Sequence, residues 1–305
     1  MLLSAGRFAI YRAETHIFNT LAPRFGNVAE PAARQAMTEA FIRSDMFRIA
    51  GLDPNVFRSA IESRCRNAGD FLRLFMEALC ALQGAARWAE TTPVHVLHIP
   101  EIKATIPDAL FVHVIRDGRD VAVSMMKQGW VRPLWIDRDA PELAAGAFWM
   151  YVAQAGDRLG ATCPPDYLRV SYEGLVTEPQ VTLDRISAFI DQPLSHEAIL
   201  RAGVGSVTQP NTSFPGSGGG FQGRWKAALT EPRARALDAL LAPALTMFGY
   251  ATDEDGGGAW ILRRAAYHAR FAMRERLKRT PFRRFVSLSL FEPGAVKSLE
   301  SDTST

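Results

Sequence analysis

Hydrophobic positions recur along the chain in two patterns, and together these predict alternating helices and strands. From Glu30 to about Ala89 apolar side chains return every three or four residues, as in amphipathic helices. The run from Ala109 to Ile115 is nearly continuous and apolar, which is typical of a strand buried on both faces of a parallel sheet. A second strand is predicted over residues 167–171. This alternation indicates an α/β fold with a parallel sheet.

The same periodicity predicts helices around these strands and a division of the chain into parts. One predicted helix begins near Arg119, directly after the first strand. Four more cover residues 141–158, 179–191, 230–247 and 259–279. A loop with six glycines, residues 203–222, has few apolar anchors, so we expect it to be mobile or ordered by a ligand. We expect an α/β domain over 1–252, an acidic, glycine-rich linker over 253–258, and a basic helix with a frayed tail over 259–305.

Charge is concentrated near the C-terminus. The 35 Lys and Arg against 32 Asp and Glu give a net charge of +3, but residues 261–284 hold nine basic residues and one acid. That segment is +8, and the other 26 basic and 31 acidic residues leave −5. A mildly acidic body argues against a nucleic-acid-binding protein.

The basic helix predicted over 259–279 has two interpretations. It could contact anionic membrane lipid or an acidic partner. Alternatively, it is a solvated helix packed on the domain, and we favour this because its apolar stripe is rich in alanine. The stripe is Leu262, Ala266, Ala269, Met273 and Leu277.

Three scattered cysteines, Cys65, Cys80 and Cys163, are too few for a disulfide framework or a zinc site. We therefore expect a reducing, cytoplasmic setting, with membrane contact at most peripheral. No stretch approaches the ~18 apolar residues of a membrane span, and we expect no signal peptide.

The most informative chemistry lies in the stretch Phe111-Val-His-Val-Ile-Arg-Asp-Gly-Arg-Asp-Val-Ala-Val-Ser124. The predicted strand delivers Arg116 to the carboxyl edge of the sheet, where ligands bind in open α/β folds. Ser124 lies eight residues later, and its hydroxyl could converge with the guanidinium on one phosphate. Alternatively, Arg116 pairs with Asp117 or Asp120, and Ser124 is a small packing residue.

This stretch closely resembles the 3′-phosphate-binding motif of sulfotransferases that use PAPS (3′-phosphoadenosine 5′-phosphosulfate). The resemblance implies that Arg116 and Ser124 hold the 3′-phosphate. It also implies a P-loop NTPase-like, three-layer α/β fold with a central parallel sheet. Upstream, Arg87-Trp-Ala-Glu-Thr-Thr-Pro93 resembles the Trp-x-Glu-Lys-Thr-Pro element of bacterial members.

Further elements agree in order. Leu168-Arg-Val-Ser-Tyr-Glu-Gly-Leu-Val176 resembles the family's strand-Tyr-Glu-x-Leu segment, which implies that Tyr172 packs near the adenine or, alternatively, in the core. Gly223-Arg-Trp-Lys226 resembles the element that closes over the nucleotide, and this implicates Arg224. Asn211-Thr-Ser213 lies where members contact the nucleotide phosphates, which implicates Ser213.

The N-terminal region is most similar to the tyrosylprotein sulfotransferase branch, where a glutamate acts as general base. Tyr11-Arg-Ala-Glu-Thr-His16 places Glu14 on that position. A hydroxyl is a weak nucleophile, so a carboxylate within reach can take its proton as the new bond forms. Alternatively, Glu14 caps the following helix. His95 and His98 are weaker candidates for the base.

Two departures from the family pattern bear on activity. The 305 residues contain no Arg-Ser-Gly-Thr-Thr loop for the 5′-phosphosulfate, and Met1-Leu-Leu aligns with the helix that would follow it. We expect the first strand and this loop, roughly 20 residues, to be absent. Thr91 stands where the family's Trp-x-Glu-Lys-Thr-Pro element commonly has a lysine. Lys103 or an arginine upstream could take the place of that lysine.

The resemblance implies sulfuryl transfer from PAPS, without a metal, to the hydroxyl of a saccharide, peptide, lipid or small metabolite. The alternative is a truncated or non-catalytic relative that binds adenosine 3′,5′-bisphosphate weakly or not at all. A nucleotide kinase lacks support, because the chain has no Gly-Lys-Ser/Thr loop.

Overall fold

Fourteen α-helices and two strands lie in the part of the chain that the computed structural model describes, residues 2, 5–129, 131–202 and 222–294. The elements are α1 Ala22–Phe25, α2 Pro31–Ile42, α3 Asp45–Ala50, α4 Pro54–Arg64, α5 Ala68–Gln83, α6 Ile99–Thr105, β1 Phe111–Ile115, α7 Gly118–Gln128, α8 Pro141–Gly160, β2 Tyr167–Ser171, α9 Tyr172–Thr177, α10 Pro179–Ile190, α11 His196–Ala202, α12 Trp225–Ala228, α13 Glu231–Met247 and α14 Ala259–Leu277. Short turns of π or 3-10 geometry include Ile17–Leu21, Pro93–His98 and Pro281–Phe285.

Local sequence signals explain why residues 30–89 are helical. The side chains of Ser44, Asp53 and Asn67 accept hydrogen bonds from backbone N–H groups in the first turns of α3, α4 and α5. α5 ends at Gln83, and the next residue, Gly84, has a φ of 63°, a left-handed conformation that glycine adopts without steric cost. The helical pattern predicted for this region is therefore confirmed as far as Gln83, whereas residues 85–89, predicted as part of it, are not helical.

Contacts group the chain into two compact units. Unit 1 comprises Met1–Ala109, Leu194–Pro210 and Leu277–Thr305, and unit 2 comprises Leu110–Pro193 and Asn211–Arg276. The core of unit 1 contains a cluster of phenylalanine rings, with the centroids of Phe41 and Phe75 4.9 Å apart. The division predicted from composition, at residues 252 and 258, stays a prediction.

The sheet of unit 2 consists, among the described residues, of β1 and β2. The strands are parallel and in register from Phe111 opposite Tyr167 to Ile115 opposite Ser171. Both predicted strands and their parallel pairing are thus confirmed, but the predicted burial of β1 on both faces is wrong, since Val114 is 45% exposed. α7, α8 and α13 pack into the buried apolar cluster beside the sheet.

Helix α14 does not pack through the stripe predicted for it. Leu262 and Met273 of that stripe are 74% and 62% exposed. The buried face instead presents Tyr267 and Phe271, whose rings belong to the apolar core of unit 2. The prediction was wrong because the aromatic residues bury more area than the alanine-rich stripe.

Among the helices in the described ranges, none has the length and hydrophobicity needed to cross a membrane.

Candidate functional site

The carboxyl ends of the two strands in unit 2 bring Arg116 and Tyr172 together. Ile115 and Ser171 are opposite each other in the sheet, so the next residue of each strand emerges at the same edge. The Arg116 Cζ atom lies 4.6 Å from the centroid of the Tyr172 ring, within the range of a cation–π interaction. Two residues that the sequence placed at one nucleotide site are therefore in contact.

The predicted alternative for Arg116, an ion pair with an aspartate, is also present. Its Nη2 atom lies 3.6 Å from Oδ2 of Asp120, one turn into α7. Asp117 pairs instead with Arg119, at 2.8 Å between Oδ2 and Nη2. Because a guanidinium has five N–H donors, pairing with Asp120 leaves it able to bind a ligand as well. Ser124 lies partly buried on α7.

Arg224 is positioned by backbone hydrogen bonds on both sides of it. The N–H groups of Gly223 and Trp225 donate to the carboxylate of Asp120, at 2.9 Å and 3.0 Å. Asp120 thus links the segment of Arg224 to the helix that follows Arg116. Ser213, the remaining nucleotide contact implied by the sequence, lies outside the described residues.

Glu173 fixes the strand ends, and sequence reasoning missed this role. Its carboxylate accepts the backbone N–H of Asp117 at 3.0 Å and the hydroxyls of Ser171 and Tyr250 at 2.9 Å and 2.7 Å. It therefore ties the residue after Arg116 to the end of β2. The only signal in the sequence was its place in the Tyr-Glu pair.

In unit 1, Glu14 lies beside a histidine whose backbone conformation is strained. Oε2 of Glu14 is 3.3 Å from Nε2 of His16, and His16 has a left-handed φ of 51°. Burial, with repulsion from His95, lowers the pKa of His16 to about 4, so the ring is neutral near pH 7. Asn19 Nδ2 contacts the Nδ1 atom of His16 at 3.3 Å. An amide donor there places the ring proton on Nε2, facing Glu14.

The carboxylate of Glu14 titrates well above the ordinary range of a glutamate. Burial raises its pKa to about 7, and the charge of Glu90 adds to the increase while His95 opposes it. The side chain still exposes 42% of its surface. The turn that begins at Ile17 has no side-chain cap, so Glu14 does not cap it as the alternative interpretation supposed.

Glu90 anchors the backbone beside Glu14. Its side chain is only 8% exposed, and Oε1 accepts the N–H of Thr15 at 3.2 Å and the hydroxyl of Thr15 at 2.9 Å. The Thr92 hydroxyl also donates to Oε1. Burial by itself would raise the pKa of Glu90. Attraction to His95, and hydrogen bonds from His95, Thr92 and Thr15, outweigh burial and lower this pKa to about 2. Glu90 therefore stays ionised close to Glu14.

Both ring nitrogens of His95 are engaged within the protein. Nδ1 lies 3.0 Å from Oε2 of Glu90, and Nε2 accepts the N–H of Phe18 at 3.3 Å. This buried histidine therefore orients Glu90 and the turn after Glu14, and it is not free to serve as the base.

Lys103, considered as a substitute for the lysine missing at Thr91, donates from Nζ to the carbonyl oxygens of Pro107 and Ala109. Among the described residues no cluster of three or more His, Cys, Asp or Glu side chains could hold a metal.

Comparisons with known proteins cover most of the elements just described. Residues 12–196 match the profile of the Sulfotransferase family. A "Putative protein-tyrosine sulfotransferase" of Caenorhabditis briggsae is 25% identical over 223 residues, which cover 69% of this chain and 74% of that protein. A protein of the same name from Caenorhabditis elegans is 24% identical over 159 residues, 52% of this chain and 56% of its own length.

A solved structure has the same fold. The "Sulfotransferase Domain from the Curacin Biosynthetic Pathway" superposes with a TM-score of 0.52 at 15% identity, covering 82% of this chain and 92% of that domain. At this identity the likeness establishes the fold alone, and it agrees with the predicted P-loop-like α/β class. The family profile spans Glu14, Glu90, Arg116, Ser124 and Tyr172. The chain belongs to the Sulfotransferase family.

Proposed function

We propose that this protein transfers a sulfuryl group from PAPS to a hydroxyl group, with Glu14 as general base. As the acceptor oxygen forms its bond to sulfur, the bond between sulfur and the 5′-phosphate oxygen breaks, and adenosine 3′,5′-bisphosphate leaves. The acceptor proton passes to Glu14. No metal is part of the proposal, because arginine and backbone donors can offset the charge that develops.

The observation that carries this proposal is the environment of Glu14. A general base works best when its pKa lies near the working pH, and burial raises that of Glu14 to about 7. The partly exposed carboxylate can still meet a substrate, while neutral His16 and ionised Glu90 hold its surroundings in place.

Nucleotide binding is assigned to Arg116, Ser124, Tyr172, Ser213 and Arg224 of unit 2. The chemistry of this set suits PAPS, since guanidinium and hydroxyl groups bind phosphate and an aromatic ring can pack against adenine. The Arg116–Tyr172 contact of 4.6 Å supports a shared role for these two side chains.

For the acceptor, we propose a tyrosine hydroxyl in a peptide as the first to test, because two relatives carry the name protein-tyrosine sulfotransferase. Saccharide, lipid and small-metabolite hydroxyls follow. A peripheral contact of the basic C-terminal segment with an anionic membrane belongs to the same proposal. Exposed Leu262 and Met273 among the arginines of α14 support it. The cytoplasmic setting stays a prediction.

Binding of adenosine 3′,5′-bisphosphate tests the nucleotide assignment. We expect Arg116→Ala to weaken binding by about 2–3 kcal/mol, because a charge-assisted contact to phosphate is lost. Arg116→Lys should recover only part of this, since lysine lacks the planar fork. Arg169→Ala is the matched control, because Arg169 lies in the middle of β2, away from the strand end, and pairs with Asp157 of α8. Calorimetry measures all four proteins.

An unchanged dissociation constant in Arg116→Ala would contradict the assignment. A PAPS transfer assay over the four acceptor classes then separates enzyme from non-catalytic relative. Binding without transfer to any acceptor would favour the relative.

A further inference from the structure

A cavity of about 610 Å³ in unit 1 is lined by four arginines, Arg24, Arg279, Arg283 and Arg284. The other lining residues are three alanines of α2, a phenylalanine, a threonine and a proline, and none is acidic. We call this cavity the arginine pocket. It takes no part in the sulfuryl transfer proposed above.

Among the described residues, no acidic side chain lines the arginine pocket. Within the described ranges, none of its four guanidinium groups forms an ion pair or a side-chain hydrogen bond, and the Nε atom of Arg24 is buried without a partner. Other arginines of unit 1 are paired, such as Arg58 with Glu39 at 2.7 Å and Arg73 with Asp108 at 2.5 Å. Like charges held around one cavity repel each other, and a bound anion would relieve that repulsion.

Local structure holds the pocket in this arrangement. Gly26 has a φ of 85°, and a Cβ atom built there would lie 2.7 Å from Cζ of Arg283, so the guanidinium sits against the glycine backbone. The Thr280 hydroxyl donates to the carbonyl of Leu277 at 2.8 Å and accepts the N–H of Phe282 at 3.3 Å. Lys278 Nζ binds the carbonyl of Asn19 at 3.0 Å. The arginines are thus presented by fixed backbone.

We propose that the arginine pocket binds a phosphomonoester group or another tetrahedral dianion. Several planar guanidinium forks suit the oxygens of a dianion better than a single carboxylate. Ala32 and Ala33 of the lining lie in the first turn of α2, where the helix dipole adds positive potential and Glu30 supplies no side-chain cap. The group could belong to a soluble phosphate or to a lipid headgroup.

Two exposed rings bear on the source of that group. Phe282 and Phe285 flank Arg283 and Arg284 in the chain and are 59% and 70% exposed. Aromatic side chains next to basic ones are common where proteins meet the headgroup region of a membrane. A lipid phosphate would let the rings enter the membrane surface while the arginines hold the headgroup.

The test compares soluble and lipid probes on the full chain. Soluble probes are inorganic phosphate and glycerol 3-phosphate, measured by calorimetry. Lipid probes are phosphatidylcholine vesicles with and without phosphatidic acid, measured by co-sedimentation. Variants are Arg24→Gln, Arg283→Gln and Ala36→Phe, the last of which fills the pocket and keeps its charge. Arg43→Gln, at the exposed far end of α2, is the control with the same loss of charge.

We expect each pocket variant to weaken binding of the responsive probe roughly tenfold or more, and Arg43→Gln to change it little. Binding of glycerol 3-phosphate would identify a soluble source, and a response only to phosphatidic acid vesicles a lipid source. The proposal is overturned if no probe binds, or if binding persists undiminished in the pocket variants. Vesicle binding that is equally strong in the pocket variants would overturn the proposal and assign membrane contact to α14 alone. Activity with PAPS is not a readout, so the proposed function stands or fails separately.

Discussion

The surroundings of Glu14 in unit 1 and of Arg116 in unit 2 differ in whether they oppose or neutralise the charge of these side chains. Around Glu14, burial and repulsion from the carboxylate of Glu90 raise the Glu14 pKa to about 7, against the opposing effect of His95. Around Arg116 the cations have anionic partners, Arg116 with Asp120 and Arg119 with Asp117 and Asp238. In the first region the ionised form of a carboxylate is disfavoured, whereas in the second region the cations are held by ion pairs. The proposed function requires this difference, because it assigns a proton acceptor to the first region and phosphate binding to the second.

The largest effect should come from removing the base. Glu14→Gln keeps the size of the side chain but cannot accept a proton, so we expect sulfuryl transfer to fall by about 10²–10⁴-fold. Binding of adenosine 3′,5′-bisphosphate should stay within about twofold of the original, since the residues proposed to bind it lie in unit 2 and not beside Glu14. Steady-state kinetics and calorimetry measure the two quantities.

The matched control is Glu30→Gln, which removes an exposed carboxylate of the same unit that caps nothing. Its turnover should be unchanged. Retained turnover in Glu14→Gln would move the proton acceptor elsewhere and end the comparison drawn above.

The next largest effect should be on stability, at Glu90. Glu90→Ala removes the Glu90 acceptor from the Thr15 hydroxyl, the Thr92 hydroxyl and His95 Nδ1, which all belong to buried residues. We expect the free energy of unfolding to fall by about 3 kcal/mol, because buried groups are left unsatisfied. Urea unfolding followed by circular dichroism measures it.

Glu173→Ala is the comparable change in unit 2. Its carboxylate also accepts several hydrogen bonds, but its residue is only partly buried, so water can replace some of them. A loss of about 1–2 kcal/mol is expected. If Glu173→Ala cost as much as Glu90→Ala, burial would not be what separates the two regions.

The sequence predicted the Arg116 region better than the Glu14 region, for a physical reason. Parallel strands end at one edge, so the apolar run and the second strand predicted where Arg116 emerges, and the family resemblance implied that Tyr172 belongs to the same site. Residues 13–16 and 88–92 form no regular element, and their contacts join positions 75 to 77 residues apart. Such pairings leave no periodic signal, so the roles of Glu90 and His95 emerged only from the structure. The packing face of α14 was mispredicted because periodicity does not show which of two apolar faces is buried.

The smallest effect distinguishes the two carboxylates of unit 1 by the sign of their pH dependence. The folded pKa of Glu14 is raised, so its contribution to stability is complete below its ordinary value of 4.5 and is lost as pH rises to about 7. Glu14→Gln should therefore gain stability relative to the original protein over this range. Because 42% of the side chain is exposed, solvent screening limits the gain to on the order of 1 kcal/mol or less.

Glu90 should show the opposite slope. Its folded pKa is lowered to about 2, so its contribution is complete above 4.5 and is lost as pH falls toward about 2. Urea unfolding of Glu14→Gln and Glu90→Gln from about pH 2 to about pH 7 measures both slopes against the original protein. Parallel slopes would mean that the two carboxylates share one environment, and Glu14 would then lose the raised pKa that suits it to accept a proton.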